Sequence, residues 1–255
     1  MMELLSITPE INGWVFIGFT ALSAFTSAFG VVAGLGGGVL MIGVMAMVFP
    51  PVALIPVHGV VQAGTNLTRV IIMHRLIIKQ SILPFAIGGV LGATVGGNIV
   101  VVLPVAIMHG VLGAFLMYVC WAPKITAGKP TTARFFFLGC VGSLISMFVG
   151  ATGTILSPWV RGVSEDRREF VATHAAIMLF MHSLKVVVFA FLGFKFLEYL
   201  PLMICMVLMS FVGNWVGVKL LSRMREEVFR KIFQVTLTLL ALRLLWGAAS
   251  TAGYL

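Results

Sequence analysis

Polar residues are the exception along this chain, and their positions divide it into segments. From Ile11 to Thr68 there is no Asp, Glu, Lys or Arg, and further charge-free apolar runs cover Gln80 to Pro123, Phe135 to Val160, Phe170 to Leu184, Tyr199 to Val218 and Ile232 to Leu242. A helix needs about 20 residues to cross a bilayer core, so these runs predict a series of transmembrane helices. Six read as ordinary spans: Val52–Met73, Ser81–Leu103, Val105–Trp121, Phe170–Phe191, Phe196–Leu220 and Val228–Ala248. Two other segments are interrupted. "GVVAGLGGGVLM", residues 30–41, crowds Gly34, Gly36, Gly37 and Gly38 together, and "FVGATGTILSP", residues 148–158, is a looser version of it.

Shifting the chain against itself by 116 residues sets Gly34 on Gly150, Gly37 on Gly153, His58 on His174, Lys79 on Lys195, Gly97 on Gly213, Asn98 on Asn214, and Arg69 on Lys185. Apolar coincidences carry little weight in so apolar a chain, whereas rare polar residues meeting at one offset indicate an internal repeat. Residues 1–255 are read as a single all-α membrane domain, with repeat one at 12–122, a linker at 123–133 and repeat two at 134–250.

The loop bases decide how the interrupted segments lie. If both segments cross, the bases divide six against eight between the two sides. If each dips in and returns, Arg75, Lys79, Lys124, Lys129, Arg134, Arg161, Arg167, Arg168, Lys219, Arg223, Arg225, Arg230 and Lys231 share one side, with Lys195 alone opposite. The positive-inside rule selects the second arrangement. Each repeat is then a Gly-broken re-entrant segment plus about three transmembrane helices, and the second repeat is inverted relative to the first. The basic loops are cytoplasmic and both termini lie outside, an architecture common among secondary transporters.

Composition adds three exclusions. The chain is 60% hydrophobic and 10% charged, with a mean hydropathy of +1.11, and its formal charge of +9 is accounted for by those loop clusters, so no nucleic-acid partner is expected. Cys120, Cys140 and Cys205 lie in apolar surroundings without CxxC spacing and read as small buried side chains, so neither a metal nor another cofactor is implied. Met1 to Glu10 carries two acids and no base, unlike the start of a signal peptide.

A turn at membrane depth survives only where protein or a polar cavity satisfies its amides. Gly36, Gly37 and Gly38 permit positive φ and close approach to the backbone. The helix that follows points its first N–H groups and the positive end of its dipole at the gap. Thr152, Gly153 and Thr154 take the same place in the second segment and add two hydroxyl donors. A small-anion site between two opposed vertices near the midplane is therefore expected. The alternative use of glycine is helix packing, which is how Gly88, Gly92 and Gly96, spaced by four, are read.

Past the first vertex, His58, Gln62, Asn66 and Arg69 fall at intervals of four, four and three on one helical face; His174, Met178, His182 and Lys185 repeat the spacing in the second half. Polar side chains in a span normally face the protein interior or a water-filled path. Arg69 and Lys185 either pair with an anionic substrate or snorkel to the headgroups. His58 and His174 either carry protons in a coupled cycle or hydrogen-bond a carbonyl across helices. Asn98 and Asn214 are expected to cap or bridge broken backbone. In "RGVSEDRREF", Ser164 is expected as the N-cap of the next helix, with Arg167 paired to Glu165.

Two halves, each opened by a Gly-rich segment of GxGGG type, here "GLGGG" and less faithfully "GATGT", and each followed by a span with a small and polar face, resemble the TauE/SafE or sulfite exporter (TSUP) family over nearly the whole length. The family's Pro shortly after the glycines is matched by Pro158, whereas Gly43 stands near that place in the first half. The resemblance implies movement of sulfite, sulfonates and related small anions, commonly outward. The residues alone reach only a small anion. A secondary transporter is the leading reading and an anion channel the alternative. An enzyme is not expected, because the spans hold no HExxH, no paired serine and base, and no carboxylate beyond Glu198 near an interface. The expected partners are a small anionic substrate and the lipid bilayer, with a homo-oligomer left open, and the expected location is a bacterial-type inner membrane.

Overall fold

The computed structural model describes residues 11–32, 36–100, 104–121, 131–220 and 226–251. Gly34, the loop bases Lys124, Lys129, Arg223 and Arg225, and most of the expected linker lie outside these described residues. The helices are α1 Gly13–Val32, α2 Gly37–Met45, α3 Pro51–Met73, α4 Ile82–Val100, α5 Val105–Trp121, α6 Thr132–Val149, α7 Gly153–Arg161, α8 Arg167–Phe191, α9 Leu200–Leu220 and α10 Glu226–Thr251. One long helix, one nine-residue helix and three further long ones thus occur in order twice. The six ordinary spans read from apolar runs correspond to α3, α4, α5, α8, α9 and α10.

Local chemistry sets several starts. Asn12 Oδ1 accepts from Trp14 N at 3.0 Å and Val15 N at 3.1 Å at the head of α1, and Thr131 Oγ1 accepts from Arg134 N at 3.3 Å at the head of α6. At α3, Pro51 occupies the first helical position, where its missing N–H costs nothing. The cap of α8 differs from expectation. Asp166, directly before the helix, accepts from Arg168 N at 2.7 Å, while Ser164 Oγ donates to Glu169 Oε2 at 2.6 Å. Arg167 reaches the Val32 carbonyl at the end of α1.

The interrupted segments consist of unequal arms. α1 has 20 residues and α6 has 18, enough for a full crossing, whereas α2 and α7 have nine each. The short helix folds back on the long one: Gly37 sits against the Thr26 carbonyl and Gly30, where a Cβ would overlap the oxygen. The returning chain reaches Phe49, whose ring centroid lies 5.3 Å from that of Phe19 in the first part of α1. In the second half, Leu156 of α7 packs on Gly142 of α6.

Helices of one half pair with helices of the other. α1 lies along α9 and α6 along α4, and because the touching residues advance together in sequence both pairs run parallel. Gly213 and Gly217 rest on the Ala24 and Ala28 carbonyls, and Gly88 and Gly92 rest on those of Phe136 and Cys140. These are close backbone contacts that only glycine permits, as the spacing of four predicts. α3 and α8 are antiparallel: Gly59 meets the Lys185 side chain near one end, and Ile78 N, just past α3, donates to Thr173 Oγ1 at 3.0 Å near the other. α5 and α10 are also antiparallel, with Trp121 Nε1 donating to Thr238 Oγ1 at 3.1 Å and Gly110 facing Ala248.

Following these contacts from helix to helix gathers Arg75, Lys79, Arg134, Arg161, Arg167, Arg168 and Lys219 at one end of the bundle and leaves Lys195 at the other. The outer surface is apolar, with Leu83, Ile87 and Val95 of α4 and Ile204, Leu208, Phe211 and Trp215 of α9 exposed, while Ser, Thr, His, Asn, Arg and Lys side chains are buried inside. That inversion of the soluble pattern suits lipid. Among the described residues five helices are long and apolar enough to cross a membrane, and the protein is a multi-pass membrane protein.

Candidate functional site

Both short helices begin at one interior cavity of about 50 Å³. At roughly 10–15 Å³ per water this holds a few waters or one small oxyanion. α1 contributes Thr26, Ser27 and Gly30 to its wall, the first break Gly36 to Val39, α3 Gln62, Thr65, Asn66 and Arg69, the second break Ala151, Gly153 and Thr154, and α8 His174, Met178 and His182. These come from the last part of α1, the second half of α3 and the first two thirds of α8. The cavity therefore lies toward the basic end of the bundle.

The glycines have distinct tasks. Gly36, the N-cap of α2, has φ 94°, and Gly150, the C-cap of α6, has φ 75°, conformations in which a side chain is strained. Gly37 and Gly38 are already helical and serve close approach, Gly38 to the Gln62 side-chain amide and Gly37 to α1. Neither N-cap residue, Gly36 or Thr152, makes a side-chain hydrogen bond to its helix. Both helix starts thus present first-turn N–H groups without a side-chain cap, the arrangement that binds anions.

Ten of the residues expected at the site line the cavity: Gly36, Gly37, Gly38, Gln62, Asn66, Arg69, Gly153, Thr154, His174 and His182. Three do not. Thr152 Oγ1 turns to the Gly142 carbonyl at 3.5 Å and to Met181 sulfur at 3.4 Å. Lys185 Nζ donates to the Gly150 carbonyl at 2.6 Å and lies 3.4 Å from His182 Nδ1. His58 Nε2 bonds the Gly38 carbonyl at 3.0 Å, and its counterpart His174 Nε2 bonds the Gly153 carbonyl at 2.9 Å. A carbonyl only accepts, so each ring carries a proton on Nε2 and ties the polar stripe to its own break.

Snorkelling is excluded for both cations by burial: Arg69 is 7% exposed and Lys185 1%. Arg69 Nη2 donates to Asn214 Oδ1 at 3.2 Å, and its Nε has no partner. Among the described residues no Asp or Glu is buried, so these cations have no buried carboxylate to neutralise them. Asn214 Nδ2 also donates to the Thr65 carbonyl at 2.7 Å and to Thr68 Oγ1 at 2.5 Å. It therefore braces α3 and not broken backbone. Asn98 is exposed and bonds only the Thr94 carbonyl of its own helix, at 2.8 Å, because its face of α4 points out of the bundle.

A family model described as sulfite exporter TauE/SafE matches residues 19–244, from within α1 to within α10 and through both breaks. The chain belongs to the TauE/SafE family. No curated protein and no solved structure matches it. As a TauE/SafE protein it is a membrane transporter of sulfur anions, which agrees with a cavity framed by helix N-termini and a buried guanidinium.

The TauE/SafE cavity also has a wall that the polar stripes do not reveal. Thr26, Ser27 and Gly30 come from α1, the arm before the break. Ser23, Thr26, Ser27 and Gly30 recur at three- and four-residue intervals, so "SAFTSAFG" carries a small and polar face that is legible in an otherwise apolar run.

Proposed function

We propose that this TauE/SafE protein is a secondary exporter that carries one small sulfur oxyanion, sulfite or an organosulfonate, by alternating access around the cavity between the two breaks. What supports this is the cavity wall itself. It combines two helix starts without side-chain caps and the buried Arg69, whose Nε is unpartnered, with no buried carboxylate among the described residues. Such a wall favours an anion and disfavours a cation. Gln62, Asn66, Thr154 and His182 add neutral hydrogen-bonding groups, and Thr152 and Lys185 hold the second break in shape.

The two halves, 12–122 and 134–250 joined by 123–133, act in this reading as inverted repeats. The antiparallel packing of α3 on α8 and of α5 on α10, and the exchanged parallel pairs α1 with α9 and α6 with α4, support it. The basic end is cytoplasmic by the positive-inside rule, both termini are outside, and the cavity faces inward. Proton coupling, where it operates, is assigned to His58 and His174. His58 Nδ1 is buried without a partner and is the atom that would take up a proton.

Counterflow in proteoliposomes with labelled sulfite and a labelled sulfonate tests the proposal. Saturable uptake that accelerates with the same anion on the opposite side, and that Gly37→Leu abolishes, is expected; a channel would not show the acceleration. Absence of flux for every sulfur oxyanion, or normal flux in a folded Gly37→Leu protein, would overturn it.

A further inference from the structure

Beside the breaks lies a second set of polar groups, Ser143, Ser146, His58 and Lys185, that do not line the cavity. Ser143 Oγ, Ser146 Oγ and His58 Nδ1 are all buried and all without a hydrogen-bond partner. Ser143, Ser146 and Gly150 succeed one another at intervals of three and four along α6 and its cap, so they share one face. At Gly150 that face meets the other members: a Cβ there would lie 3.4 Å from His58 Nδ1, and the Gly150 carbonyl accepts from Lys185 Nζ. The His58 and His182 rings stand edge to face, 5.7 Å between centroids.

The 116-residue offset gives this set its meaning. Ser143 and Ser146 correspond to Ser27 and Gly30, Lys185 to Arg69, and His58 to His174, and all four counterparts line the cavity. Toward the Lys195 end lies an apolar cluster of Ile55, Met147 and Phe189, with Phe194 and Phe196 against it. Buried hydroxyls and a ring nitrogen without protein partners are unfavourable unless water or an anion reaches them, and a conformation that opens this set would supply either.

We infer that Ser143, Ser146, His58 and Lys185 form a second, closed half-site for the same small oxyanion, latched by the hydrogen bond from Lys185 to the Gly150 carbonyl. This rests on the reading of the protein as an alternating-access anion carrier. In the opposite-facing state Lys185 leaves Gly150 and takes the place in its half-site that Arg69 has in the cavity wall here, while the Ile55, Met147 and Phe189 cluster parts.

Single cysteines test it, in a background where Cys120, Cys140 and Cys205 are replaced and sulfite counterflow persists. Ser27→Cys and Ser146→Cys are treated with a membrane-impermeant charged thiol reagent in right-side-out and in inverted vesicles. Ser27→Cys is expected to react from the basic-loop face only, and Ser146→Cys slowly and from the Lys195 face only. Adding Lys185→Gln is expected to speed Ser146→Cys labelling on the order of tenfold, the effect of losing one hydrogen bond from a cationic donor, whereas Lys185→Arg, which keeps a donor, does so far less. Normal Ser27→Cys labelling in the Lys185→Gln protein reports that it is folded. If Ser27→Cys reacts and Ser146→Cys stays unreactive from both faces with Lys185→Gln present, the second half-site is overturned and the transport reading stands. If Ser27→Cys is also unreactive and sulfite counterflow is absent, both fall.

Discussion

Arg69 and Lys185 occupy matching positions 116 residues apart, yet Arg69 lines the cavity while Lys185 turns from it onto the Gly150 carbonyl at 2.6 Å. The same chemistry at equivalent places thus has unequal surroundings. One cation is offered to the cavity and the other is spent on protein backbone. That inequality makes the two residues unequal targets for substitution.

Arg69→Gln is expected to raise the KM for sulfite counterflow by about 10- to 100-fold, since a hydrogen bond to a charged group contributes about 1.5–3 kcal/mol. Arg69→Lys keeps the charge but loses Nε and the planar fork, and falls between the two. An unchanged KM in folded Arg69→Gln protein removes this residue from the site.

The two glycines of the first break fail for different reasons. Gly36→Ala strains a residue at φ 94°, at a cost of about 1–3 kcal/mol. Gly37→Ala is expected to cost more, because its Cβ would overlap the Thr26 carbonyl, a backbone atom of α1 that no rotamer change can move aside. Gly18 is the control: a Cβ there would meet nothing within 4 Å, and Gly18→Ala stays within about 0.5 kcal/mol of the parent. Thermal unfolding in detergent ranks the three, and any order that places Gly18→Ala lowest contradicts the packing.

Much of this architecture is legible in the sequence itself, because charge and apolar length act directly on a helix that must lie in lipid. Val105–Trp121 is read from the apolar runs with the bounds that α5 has, and the glycines at 88, 92 and 96 announce the α4–α6 contact through their spacing. What stayed hidden depends on tertiary placement. The small and polar face of Ser23, Thr26, Ser27 and Gly30 marks one side of α1, but nothing in that run tells that this side faces the cavity and not a neighbouring helix. Lys185 has the spacing of Arg69, and no local pattern tells which of two equivalent cations a given conformation turns inward. At the α8 start the sequence reading takes Ser164 as the cap, but Asp166, directly before the helix, fills that place while Ser164 donates to Glu169.

Asn98 and Asn214 look alike in the repeat and are expected to behave oppositely. Asn214→Leu strips donors from the Thr65 carbonyl and Thr68 Oγ1 and an acceptor from Arg69, and interhelical hydrogen bonds of this kind in membranes contribute about 0.6–1.7 kcal/mol each. Asn98 bonds only within its own helix and is exposed, so Asn98→Leu is expected to be neutral or stabilising. Melting temperatures of the two proteins in one detergent decide this, with equal shifts counting against the asymmetry.

His58 separates coupling from structure. Its Nε2–H holds the Gly38 carbonyl, while Nδ1 is buried without a partner beside Gly150. Glutamine can supply an N–H donor to that carbonyl, but unlike imidazole it does not take up a proton under physiological conditions. His58→Gln is therefore expected to keep sulfite counterflow within a few-fold of the parent protein and to lose accumulation driven by a proton gradient. Counterflow measures the carrier cycle with substrate on both sides, and accumulation measures whether a proton travels with it, so the two readouts fail independently. If both survive, no coupled proton passes through His58. If both are lost in a protein that still unfolds at the parent temperature, the ring itself is needed for the carrier cycle, at the first break or at the closed half-site, and the separation of coupling from structure at His58 fails.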